Sequence, residues 1–201
     1  MGLLSSRSPV PLTEAQISSR TVGGAAIQSP ASNTPGSGRR ALVLFIATGA
    51  GSGYSPFAPG TAGSAVGAAM FWVLSALSLP LYAATVVGIT AIGIWAADEA
   101  ERLFGRKDDG RIVIDEIAGQ LITLAPLLWL GRAHEWAWIV TGFVVFRVFD
   151  VWKPGPVRMA ERNLPGGAGV VLDDVVAGLL AALTMEGLIW GMSWVVAGVG
   201  T

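Results

Sequence analysis

Two pairs of adjacent carboxylates stand at the head of apolar runs: Asp115 and Glu116 in VIDEIAG (113–119), and Asp173 and Asp174 in VLDDVVAG (171–178). A single acidic residue at a helix start is ordinary, because the helix dipole favours negative charge there. Two pairs need a further cause. A fifth carboxylate, Asp150 in FRVFDVWKPGPVR, lies between Arg147 and Lys153. Carboxylates held a few Å apart repel, and a cation between them removes that penalty. The chain has no Cys and a single His, His134, so the donor set is oxygen only, which suits Mg²⁺ better than Zn²⁺. Asp115, Glu116, Asp173 and Asp174 are the candidate metal ligands, and Asp150 either completes the shell or acts as a general base.

Other residues suit a phosphate. GAGSGYSPFAPGTAGS (49–64) is glycine-rich and precedes an apolar run, so its backbone amides could approach an anion closely, with hydroxyls from Ser55, Thr61 and Ser64 and space at Gly60. It lacks the lysine of a Walker A loop, and the same composition also makes a plain loop and helix cap. Arg147 and Lys153 flank Asp150 and could orient a phosphate, although basic residues at a membrane boundary often only snorkel.

These groups must be carried by membrane helices. Of 201 residues, 52% are hydrophobic and only 13% charged, too apolar a balance for an ordinary soluble domain. Lys plus Arg (13) nearly cancels Asp plus Glu (14), with no basic stripe, so nucleic acid is excluded as a partner. Residues 1–40 are rich in Ser, Pro, Gly and Thr and read as a disordered tail ahead of a membrane-embedded domain, 41–201. Apolar runs at 62–80, 81–97, 112–131, 135–152 and 171–198 reach or approach the length that spans a bilayer. The expected fold is therefore all-α, a polytopic bundle of about five spanning helices, with 41–53 as a short re-entrant or interfacial piece. No internal repeat is evident.

Threading those spans alternately through a bilayer puts Asp98, Asp115, Asp150 and Asp173 on one face. Arg102, Arg106, Lys107, Arg111, Arg147, Lys153, Arg158 and Arg162 fall on or near the same face, which the positive-inside rule makes cytoplasmic.

GSGYSPFAPGTAGS, GRIVIDEIAGQ, FRVFDVWKPGPVR and GGAGVVLDDVVAG, in this order and spacing, resemble the phosphatidylglycerophosphatase A family of bacterial inner-membrane lipid phosphatases. The resemblance covers about residues 41–190. It implies Mg²⁺-dependent hydrolysis of phosphatidylglycerophosphate to phosphatidylglycerol, with Asp115, Glu116, Asp150 and Asp174 catalytic and membrane lipids as surroundings. The rival is an ion-coupled transporter, which expects carboxylates near the bilayer midplane, where Glu186 is the candidate.

Overall fold

The computed structural model describes residues 36–163 and 166–199, and every regular element among them is helical. The expected tail lies outside the described residues up to position 35. The first helix, α1 (Ser37–Ala47), starts four residues before the boundary read from composition. The stretch expected to be re-entrant thus begins as helix and ends in a turn, where Gly49, Ala50 and Gly51 all have positive φ, followed by one 3₁₀ turn at Ser52–Tyr54.

The remaining helices are α2 (Pro59–Leu74), α3 (Leu79–Phe104), α4 (Ile114–Leu124), the single turn α5 (Pro126–Trp129), α6 (Trp136–Trp152), α7 (Gly155–Asn163) and α8 (Gly166–Val199). Proline sets two of the starts: Pro59 opens α2 and Pro80 sits in the first turn of α3, positions where a missing N–H is harmless. Pro126 acts the other way. It has no N–H to continue the α4 ladder, so the predicted 112–131 span becomes an 11-residue helix followed by a separate turn.

That break changes the expected count of spans. Two helices, Leu79–Phe104 and Gly166–Gly198, are long and apolar enough to cross a membrane. At 1.5 Å per residue α6 and α2, of 17 and 16 residues, reach only about 25 Å, short of a hydrocarbon core of about 30 Å. The protein is nonetheless membrane-associated. Val140, Val144, Val148 and Val151 form an exposed stripe along α6, and Leu179, Leu183, Trp190 and Trp194 do the same on α8. A continuous apolar surface of this kind suits contact with lipid.

Short α4 is the axis of the bundle. Ile114, Ile117, Leu121 and Leu124 are buried against α2, α3, α6 and α8, and Tyr82 of α3 donates its hydroxyl to the Leu121 carbonyl at 2.7 Å. The C-terminal end of α3 and the N-terminal end of α8 meet where Gly167 lies against the Ile94 carbonyl and Asp98. Lys153, at the end of α6, reaches Asp173 of α8. The start of α4 joins the same end, with Val113 donating its backbone N–H to Ala47.

Candidate active site: a carboxylate cluster above a glycine crossing

The helices α4 and α8 approach each other through glycine. A Cβ on Gly178 would lie 2.6 Å from the Gly119 carbonyl oxygen, and one on Gly119 would lie 2.7 Å from the Asp174 carbonyl oxygen. Thr123 adds a polar stitch, its hydroxyl donating to Gly119 at 2.9 Å and lying 3.4 Å from the Gly178 carbonyl. One helical turn before each glycine stands an aspartate, Asp115 before Gly119 and Asp174 before Gly178. The backbone contact therefore brings the two aspartates together. With Glu116 they form a group whose ligand oxygens all lie within 4.8 Å of one another.

Neighbouring residues on a helix point about 100° apart, so an adjacent acidic pair cannot present both members to one seam in the same way. At α4 the longer arm of Glu116 brings its carboxylate back to the group. At α8 the pair divides. Asp174 faces the cluster, while Asp173 accepts a 2.7 Å hydrogen bond from Lys153 and uses its other oxygen on the Asp174 backbone N–H. Of the four expected metal ligands, three converge and Asp173 turns to a lysine. It also lines a separate cavity of about 270 Å³ with Lys107 and Asp108.

Asp150 lies close enough to Glu116 and Asp174 for its charge to act on both. It is held by Arg147 through an i,i+3 ion pair, and the same guanidinium is 4.0 Å from Glu116. Helix α2 closes the group from the other side. A Cβ at Gly60 would fall 2.3 Å from Glu116 Oε1 and 3.0 Å from an Arg147 nitrogen, so any side chain there would push the tips of Glu116 and Arg147 aside.

The other expected phosphate contacts divide. Ser64 is buried and donates to the Gly60 carbonyl at 2.9 Å, satisfying its own helix rather than facing outward. Thr61 is exposed. Ser55 sits on the lip of an open cavity of about 450 Å³ shared with Arg106, Asp109 and Arg111, whose lining includes none of Asp115, Glu116, Asp150 and Asp174. In that cavity Asp109 takes two guanidinium hydrogen bonds from Arg111, at 2.7 and 2.9 Å, and a backbone one at 3.1 Å. The Arg111 hydrogen bonds hold the Asp109 carboxyl below its usual pKa.

Among the described residues, four buried side-chain atoms have no hydrogen-bond partner: Glu116 Oε2, Asp174 Oδ2, and both amide atoms of Gln120. Two belong to the cluster, and Gln120 follows Glu116 by one turn of α4. Gln120 did not figure in the sequence reading, nor did Gly119 and Gly178. The signal for the glycines was present as a short repeat, D-x-x-A-G, at 115–119 and at 174–178.

Buried oxygen donors beside a paired arginine, at one end of an apolar helical bundle, describe a membrane-associated helical enzyme. The model of the Phosphatidylglycerophosphatase A family matches residues 45–189, and the chain belongs to that family. It is 39% identical over 138 residues to phosphatidylglycerophosphatase A of Escherichia coli (strain K12), covering 69% of this chain and 78% of that protein. Phosphatidylglycerophosphatase A of Haemophilus influenzae is 33% identical over 144 residues, 71% of this chain and 86% of the relative. A candidate phosphatidylinositol-3-phosphatase of Bacteroides thetaiotaomicron is 42% identical over 156 residues, 74% of this chain and 94% of the relative. No solved structure matches the chain significantly. As a member of this family the protein is a phosphatase.

Proposed function

We infer that the protein removes the terminal phosphate of phosphatidylglycerophosphate in an Mg²⁺-dependent reaction, leaving phosphatidylglycerol in the membrane. The observation that carries this reading is the group of Asp115, Glu116 and Asp174, whose ligand oxygens lie within 4.8 Å of one another while Glu116 Oε2 and Asp174 Oδ2 are buried without partners. Three carboxylates that close, taken out of water, are stable together when a cation offsets their repulsion. The donors are hard oxygens, with no thiol or imidazole among them, which fits Mg²⁺.

When bound there, Mg²⁺ would supply Lewis acidity to the phosphoryl oxygens and make a coordinated water more acidic. The protein's own residues divide the remaining work. Asp115, Glu116 and Asp174 hold the cation. Arg147 presents its guanidinium to the phosphate, and Asp150 fixes it by their ion pair. Asp150 also lies beside Asp174, where its carboxylate can take a proton from an attacking water. Gly60 keeps the start of α2 against this group, so backbone amides of a 16-residue helix add a positive dipole end. Asp173 and Lys153 tie α8 to the end of α6 and keep the Arg147–Asp150 turn in place.

A multi-pass placement in the cytoplasmic membrane follows from the same chemistry. The exposed valine stripe of α6 suits lipid, and a slightly thinned bilayer accommodates its 17 residues. Arg102, Arg106, Lys107, Arg111, Arg147, Lys153 and Arg158 gather at the carboxylate end, supporting a site that faces the cytoplasm. The transporter reading loses its footing: family membership makes the chain a phosphatase, and Glu186 accepts a 2.9 Å hydrogen bond from Trp129.

The test is phosphate release by the detergent-purified chain from phosphatidylglycerophosphate and, because of the Bacteroides thetaiotaomicron relative, from phosphatidylinositol 3-phosphate, with Mg²⁺ or with chelator. Turnover of the first substrate with Mg²⁺, and a loss of roughly 10²–10³-fold in Asp115→Asn and Asp174→Asn, supports the reading. Preference for the inositol lipid would replace the substrate, and equal turnover by all three proteins would remove the site.

A further inference from the structure

Gln120 is fully buried, and neither its amide nitrogen nor its amide oxygen has a partner. Leaving both ends of a carboxamide unpaired in a closed interior is destabilising, and a leucine of similar volume would avoid it. Its place suggests why it is there. Gln120 follows Glu116 by four residues, so the two side chains share one face of α4. That face packs on the glycine side of α2, with Gly60 against Glu116 and Gly67 against Gln120. The unpaired atom of Glu116, Oε2, is an acceptor, and Gln120 Nε2 is a donor. An i,i+4 pair on one helix brings such groups within reach by side-chain rotation alone.

We propose that Gln120 is a positioning residue for the carboxylate cluster: its Nε2–H donates to Glu116 Oε2 and fixes that carboxylate in the orientation that binds the divalent cation. This rests on the metal-dependent reading above. Outer-shell partners of this kind orient the ligands of a site and are worth about 10–100-fold in its affinity for metal.

The test is thermal unfolding of the full chain in detergent, metal-free and across an Mg²⁺ titration, for wild type, Gln120→Leu and Gln120→Met. Wild type is stabilised by Mg²⁺ in a saturable way, since a ligand that binds only the folded state raises its melting temperature. Both variants melt at or above the wild-type temperature without metal, and both need about 10–100-fold more Mg²⁺ for the same shift. A purely structural Gln120 would give lower metal-free melting temperatures with an unchanged Mg²⁺ midpoint, which overturns the proposal. Unchanged values on both axes overturn it equally. Wild type that gains nothing from Mg²⁺ defeats the metal-site reading itself, and with it this inference.

Discussion

Asp109 and Asp174 are both buried carboxylates near the same end of the bundle, and the protein treats them oppositely. Asp109 is closed: Arg111 occupies both of its oxygens and itself lies over the Phe104 ring, 3.8 Å from the centroid. Asp174 is open: its Oδ2 has no partner, and its near neighbours are other carboxylates. The first arrangement serves the fold. The second gathers like charge at the point where Gly119 and Gly178 hold two helices in backbone contact, and it serves the proposed chemistry rather than the fold.

Substitutions can sharpen that contrast, and Asp174→Asn has the largest expected effect. Activity falls by roughly 10²–10³-fold, whereas metal-free stability rises by about 1–3 kcal/mol as a buried repulsive charge disappears. Activity assays and thermal unfolding on one preparation measure both. A drop in stability would mean that Asp174 is satisfied like Asp109.

Gly178→Ala comes next. Its Cβ meets the Gly119 backbone at 2.6 Å, and backbone cannot swing aside. Overpacking here costs about 1–3 kcal/mol and spreads the aspartates, so melting temperature and activity fall together. Gly60→Ala acts more locally. Its new methyl meets the tip of Glu116, which can rotate away, so stability changes little while activity drops about tenfold through misplacement of Glu116 and Arg147. Unchanged activity in Gly60→Ala would detach α2 from the site.

The smallest effect belongs to Asp109→Asn. Arg111 lowers the carboxyl pKa in the folded state, so its stabilisation is present above the unfolded pKa and is lost as pH falls through the folded value. Because the Arg111 guanidinium of this pair is open to solvent, this is worth about 0–1 kcal/mol. Melting curves for wild type and variant should therefore differ near neutral pH and merge at the acid end. A gap that persists at low pH would assign the effect to packing.

The acidic pairs were legible in the sequence because charge at the head of an apolar run is conspicuous, and alternating spans put them on one face. Which member of each pair faces the seam was not legible, because it depends on the rotation of each helix: Asp174 looks inward and Asp173 meets Lys153. Gly119 and Gly178 escaped notice because a five-residue repeat reads as ordinary small-residue packing until the backbones are seen to touch. Gln120 carries no charge and sits in an apolar run, so nothing local distinguishes it. The run 112–131 reads as one helix because its hydropathy is continuous, whereas Pro126 divides it into an 11-residue helix and a separate turn.

In the proposed site Asp115, Glu116 and Asp174 share one cation, while Asp173 stays outside it on Lys153. Binding of Mn²⁺ to the full chain in detergent, followed by electron paramagnetic resonance with Mg²⁺ as competitor, measures that division. Asp115→Asn and Asp174→Asn should each weaken Mn²⁺ binding by roughly 10²-fold or more, while Asp173→Asn stays within about threefold of wild type. Equal binding by all four proteins, or an Asp173→Asn defect as deep as that of Asp174→Asn, would contradict it.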